Sequence, residues 1–155
     1  MKLKLLITAL CFVTTSGLAA ELATRVGLTL EVAKQISAAA EAEAAKNKWT
    51  VAIAIVDEGG HLIHLAKIDN TQYGSVDVAI QKAQTSAAFK RPTKVFEEAI
   101  VGGRNAIIAL KGALPLEGGL PIIHDGKVIG AIGVSGVKST EDGQVAKAGA
   151  DALAG

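Results

Sequence analysis

Residues 120–134 read LPIIHDGKVIGAIGV and carry the strongest structural signal in the chain. Asp125-Gly126 is a dipeptide favoured in two-residue hairpin turns, and both of its flanks are apolar and rich in β-branched residues. The pattern predicts two antiparallel strands, Leu120 to His124 and Lys127 to Val134. Glycines inside a strand mark the close approach of another element, so we expect something packed tightly against Gly130 and Gly133.

A second hairpin is predicted upstream of the first. Residues 49–56 read WTVAIAIV without polar alternation, which is typical of a central strand covered on both faces. Residues 57–60 form a loop of hairpin length, and residues 61–68 form the partner strand. With a short edge strand at residues 107–110, the sheet is expected to have about five strands.

Four helices are predicted around these strands, near residues 28–47, 75–89, 93–100 and 139–153. Ser75 is expected to cap the second helix, and residues 139–142 (STED) resemble a capping box for the last. The second helix carries a stripe of small residues, which allows close packing. Hairpins joined by helical segments predict an α+β domain, an antiparallel sheet with helices packed on it, rather than a parallel doubly wound fold.

The composition limits the function classes. The chain has 155 residues, enough for one domain, and 28 alanines and 17 glycines against five aromatic residues. We therefore expect close backbone packing rather than a core of large rings. The net charge of +1 gives no basic surface for nucleic acid. A single cysteine excludes a disulfide framework or a thiolate metal site within one chain.

The first twenty residues have the layout of a secretory signal peptide. Lys2 and Lys4 precede the apolar run of residues 5–13, and small residues follow up to Ala20. The apolar run is too short to span a bilayer. We expect residues 1–20 to be removed, residues 21–155 to form one domain without a membrane span, and the protein to be periplasmic or secreted.

Three histidines are candidate metal ligands, because imidazole suits iron and other transition metals. His61 and His64 lie three apart on one predicted strand, so they are expected to face opposite sides and not to share a metal. His124 lies at the tip of the downstream hairpin. A structural or surface role is the simpler alternative for each of them.

Two further groups of residues are candidates for ligand contact. Lys82 and Thr85 lie in the middle of the small-residue helix, and three cations follow nearby in sequence: Arg91, Lys94 and Arg104. They are either solvated side chains or a cationic rim that pairs with the carboxylates of a bound molecule. The Glu117-Gly118-Gly119-Leu120-Pro121 turn presents rigid backbone that faces either a ligand or a neighbouring subunit.

Four motifs in this order resemble the GlcG/HbpS family, over about residues 28–154. They are Asp57 with Gly59-Gly60-His61-Leu62, residues 82–89 (KAQTSAAF), residues 118–121 (GGLP) and residues 130–136 (GAIGVSG). The resemblance implies a profilin-like domain that assembles into homo-oligomers. It also implies haem as the ligand, since some members of the family bind haem and are described as haem-degrading or redox-sensing proteins.

The leading hypothesis is therefore an exported protein that binds a small molecule, with haem or another tetrapyrrole as the ligand. The candidate iron ligands are His64 and His124, with Thr85 nearby by analogy with the family. A pocket beside Gly118, Gly119 and Pro121 is expected to take the ring, with its carboxylates near Lys82 or Arg91. Stacking on the ring is expected from one of the few aromatic side chains: Phe89, Phe96 or Tyr73. The alternatives are an oligomeric assembly protein without haem, and an enzyme that degrades haem or acts on a small organic acid.

Overall fold

A computed structural model describes residues 21–153 of the chain, so the predicted signal peptide lies outside the described residues. The elements, in chain order, are α1 (Leu30–Lys46), β1 (Ala52–Asp57), β2 (Leu62–Lys67), α2 (Gly74–Phe89), α3 (Lys94–Val101), a 3₁₀ helix (Asn105–Ala109), β3 (Gly119–His124), β4 (Lys127–Ser135) and α4 (Ser139–Asp151). No helix within residues 21–153 combines the length and the apolar character needed to cross a membrane.

The four described strands form one antiparallel sheet in the order β2-β1-β4-β3. The predicted α+β class, the two hairpins and the central place of β1 are confirmed. The predicted fifth strand at residues 107–110 is wrong, because this segment belongs to the 3₁₀ helix and the residue after it. The N–H groups of Ile107 and Leu110 donate to carbonyls three residues upstream, so they are not free for a sheet ladder. The profilin-like likeness stays a prediction.

The sheet separates two cores. Helices α1 and α4 cover one face, where Ile36, Ile53, Ile132 and Val145 belong to a cluster of large aliphatic side chains. Helix α2 covers the other face, where the cluster consists almost entirely of alanines from α2, β1 and β4. All of β1 except Asp57 is buried, which agrees with its unalternating sequence.

The close packing expected at the glycines of β4 is confirmed. A Cβ at position 133 would overlap the backbone oxygen of Ala79 and lie 2.5 Å from the backbone nitrogen of Ala83. Only glycine at this position lets α2 rest directly on the strand. The alanine core therefore exists because the helix and sheet backbones almost touch.

Two predicted helix starts differ from the structure. Ser75 lies inside the first turn of α2, whose cap residue Tyr73 makes no side-chain capping bond. Helix α4 begins one residue earlier than a cap at Ser139 requires, since Lys138 is the cap residue and its N–H donates to Glu141 at 3.1 Å. Thr29 caps α1, with its hydroxyl oxygen accepting from the N–H of Val32.

Candidate functional site

Both hairpin turns lie at the same end of the sheet. Strands β1 and β4 are antiparallel neighbours, with Asp57 opposite Gly130, so the turn after β1 lies beside the turn before β4. A cleft of about 700 Å³ lies at this end, within the size range of small-molecule and cofactor sites. We call it the turn cleft; it is lined by residues 24–26, Glu58, Lys90 and residues 123–129.

A smaller cleft of about 330 Å³ adjoins the turn cleft, and we call it the side cleft. The two share four lining residues, Arg25, Glu58, Lys90 and Val128. The side cleft also includes Asp57, Gly59, His61 and Ala87. Together the clefts form a continuous surface from the β1–β2 turn to the β3–β4 turn.

The turn cleft places one imidazole beside apolar side chains. The side chain of His124, at the end of β3, is half exposed, and its Nε2 atom lies 3.6 Å from the carboxylate of Asp125. Ile123 is 52% exposed, and Val26 and Val128 line the same cleft. An accessible imidazole with apolar neighbours is the combination that an iron-containing planar ring needs from a protein, since haem iron takes a single axial histidine in many proteins.

The β1–β2 turn holds a second imidazole in a fixed orientation. The carboxylate of Asp57 accepts hydrogen bonds from the N–H groups of Gly59 and His61, both at 2.8 Å, and lies 3.2 Å from Nδ1 of His61. These bonds, the one from the His61 N–H foremost, lower the pKa of Asp57. An ionised Asp57 favours the proton on Nδ1, which leaves the Nε2 atom of His61 free to bind a ligand.

The cations of the clefts differ in their partners. Arg25 pairs with Glu58 at 2.8 Å. Lys90 and Lys127 have no carboxylate within salt-bridge distance among residues 21–153. These two lysines are therefore the cations available to an anionic group that enters from solvent.

His64, the other predicted iron ligand, lies away from this site. It is half-buried on β2, opposite Ile55, and lines neither cleft. Strands β2 and β3 are the two opposite edges of the sheet, so the structure does not bring His64 and His124 together. His61 precedes β2, so the orientation of its side chain depends on the turn and not on the alternation of side chains along the strand. Residues 21–153 contain no group of three or more His, Cys, Asp or Glu side chains placed to hold a metal ion.

Lys82 does not belong to a solvent-facing cationic rim. Its side chain is 2% exposed, and its Nζ atom donates to Asp142 at 2.8 Å and to the carbonyl of Val134 at 2.9 Å. Burial raises the pKa of Asp142, and the bond from Lys82 opposes that rise. From this buried position the lysine joins α2 to β4 and α4.

The space beside Gly118 and Gly119, where a ligand is predicted to bind, is occupied by other residues of the protein. A Cβ at position 118 would lie 2.9 Å from Nζ of Lys82, and one at position 119 would overlap the backbone of the same residue. The hydroxyl of Thr93 accepts from the Gly119 N–H at 2.9 Å. Thr85 is buried and accepts from the Leu114 N–H at 2.8 Å. These residues tie the loop before β3 to α2.

The remaining predicted site residues also lie outside the two clefts. Phe89 packs edge to face on Phe96, with 5.3 Å between the ring centroids. Pro121 is half-buried on the edge strand β3. Lys94 pairs with Glu117 at 3.0 Å, which raises the pKa of the lysine. A role of these residues, or of Lys82 and Thr85, in contacting a ligand stays a prediction.

Sequence reasoning missed four residues of the clefts, Arg25, Glu58, Lys90 and Lys127. Arg25, Lys90 and Lys127 belong to no motif, because the clefts form only when the segment before α1, the end of α2 and the two hairpin turns meet at one end of the sheet. The only local signal was the Asp57-Glu58-Gly59-Gly60-His61 turn, which places an acidic residue four positions before a histidine.

Comparison with known proteins gives concordant matches. The family profile described as "Haem degrading protein HbpS-like" matches residues 28–151. Protein GlcG of Escherichia coli is 43% identical over 112 residues, which cover 72% of this chain and 84% of GlcG. A crystal structure of a double mutant of Streptomyces reticuli HbpS is 31% identical, with a TM-score of 0.76, and the match covers 87% of this chain and 97% of that one.

Two further solved structures share the fold. The Klebsiella pneumoniae protein ORFY gives a TM-score of 0.80 at 28% identity, with 88% of this chain and 97% of that chain covered. A PduOC–haem complex gives a TM-score of 0.74 at 24% identity, with 83% and 96% covered. The match to the PduOC–haem complex shows likeness of fold alone.

Proposed function

The chain belongs to the family of HbpS-like haem degrading proteins, and from that premise we propose that it binds haem in the turn cleft. The observation that carries the proposal is the half-exposed imidazole of His124 in a cleft of about 700 Å³ that combines apolar side chains with cations unpaired among residues 21–153. HbpS and a PduOC–haem complex are among the solved structures with the same fold.

Different residues of the turn cleft would contact the iron and the ring of haem. His124 would offer its imidazole to the iron, with the carboxylate of Asp125 3.6 Å from its Nε2 atom. Ile123, Val26 and Val128 cover the apolar ring and exclude water from it. Bound haem would supply the iron-centred redox chemistry.

A hemin titration of the purified protein tests the proposal. We expect a Soret band that saturates at one hemin per chain, and we expect His124→Ala to abolish it or raise the dissociation constant at least tenfold. His64→Ala is the matched control, because His64 is outside the clefts and should leave the titration unchanged. A band lost in His64→Ala and retained in His124→Ala would place the iron on the other edge of the sheet.

The same titration separates the alternatives. No spectral change at micromolar hemin would favour an assembly protein without haem. Time-dependent loss of the Soret band with a reductant, together with released iron, would favour an enzyme that degrades haem.

We also propose that the protein is exported, on the strength of the signal-peptide pattern in residues 1–20. Cleavage near Glu21 leaves a chain without cysteine, which suits an oxidising compartment. A mature N-terminus near Glu21 in periplasmic or secreted material checks this proposal.

A further inference from the structure

Lys90 has a backbone conformation that glycine normally supplies. It follows directly on α2, with φ 52° and ψ 42°, and its N–H donates to the carbonyl of Ser86. This left-handed position after a helix is usually taken by glycine, because a side chain there crowds the backbone. A lysine in its place therefore lowers stability relative to glycine.

The side chain of Lys90 is placed where a ligand would meet it. Lys90 is exposed and lines both the turn cleft and the side cleft. The carboxylates of the two clefts already have partners: Glu58 with Arg25, Asp57 with the β1–β2 turn, and Asp125 beside His124. The ammonium of Lys90 is therefore a cation at the junction of the clefts with no carboxylate partner in residues 21–153.

The other residues with positive φ do not share this combination. Asn70 and Asp125 are of types that tolerate the left-handed conformation in turns. Lys48 is the true parallel, since it follows α1 with φ 58°, is exposed, and lines neither cleft. A lysine after a helix also interacts favourably with the helix dipole, which applies to Lys48 and Lys90 alike. Lys48 therefore provides a control within the same chain.

We propose that Lys90 recognises a carboxylate of the ligand, which lies across both clefts. This inference rests on the proposed function and identifies the subsite for the anionic side chains of the ring. The apolar body contacts Ile123 and Val128 in the turn cleft, and the carboxylate reaches Lys90 at the border of the side cleft. An ammonium and a carboxylate form a charge-assisted hydrogen bond, which a neutral ester in place of the carboxylate cannot form with the same strength.

The test compares Lys90→Gly with Lys48→Gly in hemin titrations of the full chain. Both variants relieve a left-handed lysine, so both are expected to melt at or above the temperature of the parent protein. We expect the dissociation constant for hemin to rise roughly fivefold in Lys90→Gly, the weight of one solvent-exposed ion pair. It should stay unchanged in Lys48→Gly.

A second probe, hemin dimethyl ester, removes the carboxylate from the ligand instead of the lysine from the protein. Its affinity for the parent protein should match its affinity for Lys90→Gly. Equal hemin affinity in the parent and in Lys90→Gly would overturn this inference alone, while the Soret band of the parent upheld the proposed function. Absence of hemin binding by the parent protein would overturn both.

Discussion

At the scale of single residues, the buried ion pair between Lys82 and Asp142 joins three elements. Lys82 comes from α2, Asp142 from α4, and the carbonyl of Val134 in β4 accepts a second bond from the ammonium. The other carboxylate oxygen of Asp142 accepts from the N–H of Val137 at 3.2 Å. Each charge is satisfied only while the other is present, so removing one leaves an uncompensated charge in the interior.

We predict that Lys82→Met lowers the free energy of unfolding at pH 7 by about 3–5 kcal/mol, the usual effect of breaking a buried pair. Burial raises the pKa of Asp142, and loss of the lysine removes the bond that opposes this rise. The folded variant then binds more protons than the unfolded chain, so its stability should fall as the pH rises above the ordinary pKa of 3.8. Urea unfolding at pH 5 and pH 8 measures both effects.

The double variant Lys82→Met with Asp142→Asn is the control for that experiment. It removes both charges, so it should recover part of the lost stability and lose the difference between pH 5 and pH 8. A single variant within about 1 kcal/mol of the parent would show that the pair does not stabilise the domain.

At the scale of elements, the contact between α2 and β4 depends on Gly133. We predict that Gly133→Ala destabilises the domain by about 3 kcal/mol or prevents folding, because the new methyl group meets helix backbone that cannot move aside. Gly74→Ala is the matched control, since no heavy atom lies within 4 Å of a Cβ there. Gly74 is the first residue of α2, where alanine is a better helix former than glycine. Gly74→Ala should therefore raise the free energy of unfolding by no more than about 1 kcal/mol.

Thermal and urea unfolding of the two alanine variants decide this prediction. Equal stability of both variants would mean that α2 can lift off the strand without cost. The alanine core on that face of the sheet would then not be the close-packed layer described above.

Most elements were predictable because their signals are local. A few neighbouring residues are enough to predict the Asp125-Gly126 turn, the buried strand β1 and the close packing at the glycines of β4. Ile107 and Ile108 favour a β conformation, so the sequence predicts a strand where the structure has the 3₁₀ helix. The Ile107 N–H donates to the carbonyl of Arg104 and the Ile107 carbonyl accepts from the Leu110 N–H, a local pattern that depends on backbone geometry rather than on side-chain type.

At the scale of the whole molecule, the segment from α3 to the loop before β3 leaves apolar side chains uncovered. Val101 is 84% exposed and Ile108 is 70% exposed, with Val95, Leu110 and Leu116 exposed to a lesser degree. The 3₁₀ helix contributes no buried residue. Apolar surface of this kind commonly marks a contact with another protein, and the family resemblance implies self-association.

We predict that the protein is a homo-oligomer in solution and that Val101→Asp with Ile108→Asp shifts it towards the monomer. Light scattering coupled to size-exclusion chromatography measures the mass. Leu22→Asp is a suitable control, since Leu22 is 93% exposed but lies outside the segment. A monomeric parent protein would contradict the prediction.

The site was less predictable than the fold because its residues come from distant parts of the chain. His124 was identified from its place beside a turn, yet its neighbours Arg25 and Lys90 come from segments 99 and 34 residues upstream. Those segments meet His124 only through the packing of α2 and of the segment before α1 around the sheet. The buried position of Lys82 was not predictable for a related reason, because no local sequence signal identifies the distant Asp142 as its partner.

The separation of Lys82 from Asp142 along the chain has a consequence for biosynthesis. The two residues are sixty positions apart in the chain, and the acidic one belongs to α4. While a ribosome is still making that helix, the lysine has no counter-ion and its burial is opposed by the free energy of dehydration. Burial of Lys82, and with it the close contact of α2 with β4, is therefore favoured only once α4 is available, and until then a nascent chain stays accessible to any machinery that handles extended polypeptides.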